Sequence, residues 1–248
     1  MLDMGFLPDL RRIISRIPRQ RQSLFFSATM PATILELANR LLVDPLEVTV
    51  ASRTDDVDRI AQSIRLVQRN EKFATLRNLV TGHAVGRTIV FSRTKHGANQ
   101  IVRKLEKAGV RSNAIHGNKS QSARQKALEN FRSNRVAILV ATDIAARGLD
   151  IAGVSHVIHY DMPRDPESYI HRIGRTGRAG ASGIAISLCT PEERSELRAI
   201  ERLVGKRLAV EKPDRADDHM PREPEAAPAG NNRRRQRSRN SRSRRITR

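Results

Sequence analysis

Residues 136–151 read VAILVATDIAARGLDI, and the order of residue types in this stretch decides the fold. Six apolar residues in succession, Val136 to Ala141, leave no polar face, which suits a strand covered on both sides in a parallel sheet. A polar turn follows directly. In an open α/β sheet, ligands gather at the loops that leave the carboxyl ends of the strands. Thr142, Asp143, Arg147 and Asp150 therefore sit where a site forms, although Asp143 has a second reading as the cap of a short helix.

Outward from this stretch, strands and helices alternate. Further strands are expected at Ile64–Val67, Thr88–Phe91, Val110–Ile115, Val154–His159 and Ile184–Leu188. Helices are expected at Glu71–Val80, His96–Ala108, Gln121–Phe131, Pro166–Ile173 and Pro191–Val204. This is the pattern of an α/β domain, a doubly wound parallel sheet, occupying residues 53–210. The first 52 residues hold two amphipathic helices, one with the stripe Leu10, Ile13, Ile14 and Ile17 and one opening at Pro31. They also hold two short strand candidates, Ser23–Phe26 and the alternation Leu46, Val48, Val50. Two helices and two strands cannot close a covered sheet, so this segment reads as the end of a domain whose beginning is missing.

Residues 211–248 are of another kind. A Pro/Ala/Glu-rich linker leads into NNRRRQRSRNSRSRRITR, which has too few apolar residues to build a core and is expected to be a disordered arm. Of 248 residues, 46 are Lys or Arg and 26 Asp or Glu, a formal charge of +20. The arm carries nine of the basic residues and no acidic one, so 37 basic against 26 acidic remain in residues 1–230. A chain this basic suits a polyanion. With 3% aromatics and no Trp, phosphate contact is a better expectation than base stacking. The arm is expected to bind phosphates and so raise the local concentration of RNA or DNA, with a solvated or nuclear-targeting run as the plainer alternative.

Several classes are excluded. One cysteine, Cys189, rules out a disulfide framework and is expected to pack as a small hydrophobe. No HExxH-type spacing suggests a metal, no GxSxG provides a nucleophile elbow, and GxxxxGK[ST] is absent from this sequence. No apolar run approaches a membrane span and no secretory signal opens the chain, so the expected location is the cytoplasm.

Two further clusters carry chemistry. HRIGRTGRAG, His171–Gly180, sets Arg172, Arg175 and Arg178 three apart with glycines between them. Closely spaced guanidinium forks suit phosphoryl oxygens, whereas a basic surface turn is the plainer alternative. HGNKSQSAR, His116–Arg124, places Gln121 and Arg124 three apart at a helix start, where backbone amides favour phosphate.

This ordered set resembles the DEAD-box family of ATP-dependent RNA helicases, most like its bacterial RhlE-type members. MLDMGF looks like the stretch after the family's Asp-Glu-Ala-Asp box, and Ser27 to Thr29 matches motif III. IVFSRT (Ile89–Thr94) matches motif IV, Gln121 with Arg124 the QxxR element, Val140–Ile151 motif V and His171–Arg178 motif VI. The resemblance implies a RecA-like second lobe in residues 53–210, after a first-lobe remnant in residues 1–52. It implies that Arg175, Arg178 and His171 serve catalysis, with Asp150, Arg172 and Gly148 contacting the nucleotide. Thr94, Gly117, Gln121, Arg124 and Thr142 would hold the RNA sugar-phosphate backbone, and Ser27 and Thr29 would couple the lobes. ATP and Mg2+ are the implied cofactors, held mainly by first-lobe motifs not present in this sequence. RNA is the implied partner, with the ribosome or the RNA-degradation machinery beside it and no membrane.

The parent activity would be ATP hydrolysis coupled to RNA binding and local duplex unwinding, with this chain alone inactive as an ATPase. The main alternative is a non-enzymatic RNA-binding or annealing module, and another is a DNA-translocating relative.

Overall fold

The computed structural model describes residues 7–18, 20–27, 30, 32–49, 59–82, 86–146, 151, 153–178 and 181–211. The linker and basic arm from 212 onward, and the expected site residues Thr29, Arg147, Gly148 and Asp150, lie outside them. The chain forms two compact units, Met1–Arg53 and Thr54–Arg248.

The first unit contains helices α1 (Leu7–Arg16) and α2 (Ala32–Leu41). Ile34, Leu37 and Ala38 give α2 its buried stripe. Neither expected strand forms among the described residues: Ser23–Phe26 and Leu46–Val48 are irregular, with Leu24 and Phe26 exposed, as are Leu46 and Val48. The pattern of side chains is that of a strand, but a strand exists only where a neighbour completes its ladder, and the described residues of this unit offer none.

The second unit is built on seven strands, β1 (Ile60–Leu66), β2 (Thr88–Phe91), β3 (Ser112–Ile115), β4 (Ile138–Ala141), β5 (His156–His159), β6 (Gly183–Cys189) and β7 (Ala209–Glu211). All pair in parallel, in the order β3-β4-β2-β5-β6-β1-β7. The helices are α3 (Lys72–Thr81), α4 (Lys95–Lys107), α5 (Gln121–Arg132), the single turn α6 (Asp143–Ala146), α7 (Pro166–Ile173) and α8 (Arg194–Val204). Burial on both faces explains the continuous apolar strands. Ile89 and Phe91 of β2, with Leu139 and Ala141 of β4, meet Ala127 and Phe131 of α5. The residues between them, Val90, Ile138 and Val140, meet Leu76 of α3 and Ile101 and Leu105 of α4. At the other end of the sheet Ile64, Ala185 and Cys189 pack with Tyr169, Ile173 and Ile200. Cys189 is the expected small hydrophobe, its thiol pushed up to about 11 by burial and by Glu193.

One buried histidine makes this core sensitive to acid. His159 has no exposed surface, its Nδ1 lies 2.8 Å from Ser187 Oγ and its Nε2 has no partner among the described residues. Burial, and then the nearby Arg172 charge, hold its pKa well below the usual 6.5. The unfolded chain takes up a proton near that value while the folded chain resists it. Stability is therefore fully present above 6.5 and lost as pH falls below it; burial shifts His116 and His156 in the same direction. The urea midpoint is expected to drop between about pH 7.5 and about pH 5.5, and less so in His159→Gln. A midpoint that is equal at both pH values would contradict this reading.

Candidate nucleotide and RNA interface

Because every strand is parallel, the segments leaving β2, β3, β4, β5 and β6 emerge on one edge of the sheet. Thr94 follows β2 and caps α4, its Oγ1 accepting the Gly97 N–H at 2.9 Å. Gly117 follows β3 on an exposed stretch, where an added Cβ would meet nothing within 4 Å. Ser120 caps α5, accepting the Ala123 N–H at 3.3 Å, so Gln121 opens that helix; Arg124 Nη1 lies 3.4 Å from Gln121 Oε1. Thr142 follows β4, its N–H donating to Ile115 O at 3.3 Å. Lys95 Nζ donates to Asn118 Oδ1 at 3.1 Å and so ties the β2 segment to the β3 segment. The fold thus brings the five expected RNA contacts to adjacent strand ends.

The three arginines of HRIGRTGR, equivalent by spacing, have different fates. Asp165 caps α7 by accepting the Ser168 N–H at 2.9 Å, and Pro166 begins the helix. Arg172, in the last turn, is buried. Its Nε and Nη2 donate to the two carboxylate oxygens of Asp143 at 2.5 and 2.7 Å, its Nη1 donates to Asp161 O at 2.9 Å, and its guanidinium lies 5.0 Å from the Phe91 ring centre. Asp143 therefore serves a bidentate ion pair between the segments after β4 and β5 rather than merely capping a helix.

Beyond α7 the chain turns back toward the strand beginnings. Buried Thr176 shares its one hydroxyl proton between Val154 O at 2.6 Å and Ser155 O at 3.1 Å. Gly177 has φ +69°, and a Cβ there would lie 2.8 Å from Ile60 Cγ1, so the turn requires glycine. Arg175 and Arg178 flank this anchor, each half-buried, with Nε donating to His171 O at 3.2 Å and Gly174 O at 2.8 Å. His171 is half-buried, and its Nδ1 has no partner among the described residues. The arginine pair is thus separate from the RNA group and joined to it through Arg172. Ser27 belongs to the first unit, and Thr29, Gly148 and Asp150 lie outside the described residues.

The residues that the sequence did not single out form a buried charge network. Lys72 donates to Glu193 Oε2 at 2.7 Å and to Tyr160 O at 2.8 Å, and Asp161 Oδ1 lies 3.6 Å away. The other oxygen of Glu193 accepts Arg93 Nη2 at 3.0 Å. Asp161 in turn accepts the Arg93 N–H at 2.8 Å and Ser92 Oγ at 3.2 Å. This cluster holds the segment that carries Thr94. Its one legible signal is Thr190-Pro-Glu-Glu193, a capping-box spacing in which Glu193 accepts the Thr190 N–H at 3.2 Å.

The donor chemistry of Arg175 and Arg178 fits a polyphosphate. Among the described residues no group of three His, Cys, Asp or Glu could hold a metal ion. No described helix is long and apolar enough to cross a membrane.

Comparison with known proteins agrees with this geometry. The conserved helicase C-terminal domain matches residues 71–180. The DEAD-box protein SrmB of E. coli, solved with regulator of ribonuclease activity A, is 36% identical with a TM-score of 0.58, and the match covers 61% of this chain and 89% of that one. The chain belongs to the DEAD-box family of RNA helicases. A second DEAD-box structure, S. cerevisiae Dbp5 bound to RNA and ADP BeF3, is 32% identical with a TM-score of 0.77, covering 85% of this chain and 56% of that one. The DEAD-box ATP-dependent RNA helicase CshA of Bacillus subtilis is 45% identical over 208 residues, covering 84% of this chain and 42% of that protein. This chain spans about two fifths of the length of the curated relatives it matches. Those relatives carry the CshA name, so the match places the chain in the DEAD-box family without assigning it to the RhlE-type branch.

Proposed function

We propose that this chain supplies the C-terminal RecA-like lobe of an ATP-dependent RNA helicase that couples ATP hydrolysis to RNA binding and local duplex unwinding. Residues 1–52 are then the end of the first lobe, 53–210 the second lobe and 211–248 a linker and basic arm. The exposed Leu24, Phe26, Val43 and Leu46 of the first unit support that division, since apolar side chains of this kind are covered in a complete RecA-like lobe. The observation that carries the functional reading is the Arg172–Asp143 ion pair, which ties the arginine-bearing segment to the strand ends where the RNA group gathers.

In this reading Thr94, Gly117, Gln121, Arg124 and Thr142 grip the sugar-phosphate backbone with little sequence preference. Arg172, expected from the resemblance to contact the nucleotide, takes a positioning role here because Asp143 and Asp161 O hold its guanidinium, while Gly148 and Asp150 contact the nucleotide. Bound ATP supplies the phosphoryl group whose hydrolysis drives the cycle. Arg175 and Arg178 present guanidinium forks to the charge developing there, and His171, with Ser27 and Thr29, couples the lobes. Magnesium would arrive with a nucleotide held mainly by first-lobe motifs absent from this sequence. The proposed setting is the cytoplasm, with the ribosome or the RNA-degradation machinery as the source of RNA.

The chain alone is expected to bind single-stranded RNA in a salt-dependent manner and to turn over no ATP. Gly117→Ala fills open space and should fold normally, so a loss of RNA affinity in that variant reports close approach of a ligand to the backbone. Anisotropy of labelled RNA, with Arg124→Ala beside it, checks this. Unchanged affinity in both variants would refute the assigned RNA surface.

A further inference from the structure

We infer that a basic groove along the open edge of β3 is a second RNA track, which receives the strand after it leaves the contacts at the strand ends. This inference rests on the RNA reading above. Among the described residues strand β3 pairs with β4 alone, and α4 and α5 cover opposite faces of the sheet beside it. Between the two helices lies a groove floored by Ser112, Asn113 and Ala114. Its walls bring together three cations, Arg103, Lys119 and Lys126, and two further amides, Asn99 and Asn130.

Glu106 is the one carboxylate in the lining, and none of the three cations forms an ion pair with a described residue. Three cations against one carboxylate along a concave wall give a positive field. Such a field favours a chain of regularly spaced negative charges, and neutral amides beside it can bond base edges or sugars. The groove is also continuous with the proposed RNA surface. Lys119 belongs to the segment that carries Gly117, and Asn99 lies 3.0 Å from His116 Nε2, the residue before it. From there the floor follows β3 for roughly 10 Å, enough for more than one nucleotide. An extended acidic peptide pairing with the edge is less well supported, because continuity with Gly117 gives RNA a path into the groove and gives a peptide none. Cations on an open edge also prevent strand pairing. That duty alone predicts no dependence on RNA length.

The test uses the full chain and labelled oligouridylates of about 6 and about 15 nucleotides, within the range of single-strand site sizes. The double variant Arg103→Ala/Lys126→Ala should bind the longer RNA about tenfold more weakly and lower its salt slope by about 1.4. Binding of the shorter RNA should be unchanged. Lys107→Ala, on the same helix but outside the groove, should alter neither. Equal losses at both lengths, or no loss at either, would overturn the groove. An oligoglutamate that binds more tightly than RNA through the same two cations would also overturn it, in favour of a protein partner. If Arg124→Ala weakens the short RNA while the groove variants do nothing, the groove alone fails. If Arg124→Ala is silent while the groove variants act, the strand-end reading fails instead.

Discussion

Glu193→Ala is expected to destabilise the second unit by about 3–4 kcal/mol, a large share of the about 5–15 kcal/mol that holds a domain of this size. The carboxylate is buried and accepts from Lys72, Arg93, the Met162 N–H and the Thr190 N–H. Its removal leaves Lys72, whose side chain is 5% exposed, with a backbone carbonyl and a carboxylate 3.6 Å away as its remaining partners. Breaking one side of a buried pair strands the other charge, whereas replacing both with apolar groups is often close to neutral. Lys72→Met introduced into Glu193→Ala should therefore recover most of the loss. Urea unfolding of the two single variants and the double variant measures the coupling directly. A single-variant loss below about 1 kcal/mol would show that the network contributes no more than a surface pair.

The second large effect concerns turnover. When this chain is joined to a first lobe that carries a phosphate loop, Arg178→Ala should cut RNA-stimulated ATP hydrolysis by about 10³-fold, the lower range for an arginine finger. RNA affinity should change by less than about twofold, because the arginine pair lies apart from the RNA group. Arg178→Lys should rescue little, since a point charge does not reproduce a planar fork. Equal losses in turnover and in RNA affinity would mean that Arg178 holds the fold or the RNA rather than the nucleotide. Single-turnover measurements with saturating RNA separate these outcomes.

The parts of the fold that announce themselves in sequence are those decided locally. TIVF at Thr88–Phe91 coincides with β2 because an all-apolar run has no other stable place, and Asp165-Pro166 marks the start of α7 because its cap chemistry is local. Strand β1 begins four residues before its expected start, at Ile60, since Gln62 and Ser63 interrupt the apolar run. The Ser23–Phe26 expectation, and that at Leu46 and Val48, fail among the described residues for the opposite reason: their patterns suit strands, but pairing is a property of neighbours, not of a segment.

The site divides along the same line. Gln121 with Arg124 and the arginine segment are visible because their spacing in the chain carries the chemistry, whereas Thr94 enters only through the family resemblance of IVFSRT. Lys72 and Glu193 are 121 positions apart, and nothing near either residue points to the other. Arg172, Arg175 and Arg178 look alike at intervals of three, and only the tertiary structure turns the first inward to Asp143. Glu193 is half legible: its capping-box spacing shows one bond to the backbone and hides the two cations.

Arg172 is fastened to the strand ends, and four residues later Thr176 is fastened to the two residues that lead into β5. The helix end and the turn after it, pinned at both ends, act as a strut with little slack for a local swing. If Arg175 acts on a nucleotide, it cannot reach out as a flexible loop would; it has to arrive together with the sheet and its helices, as one body.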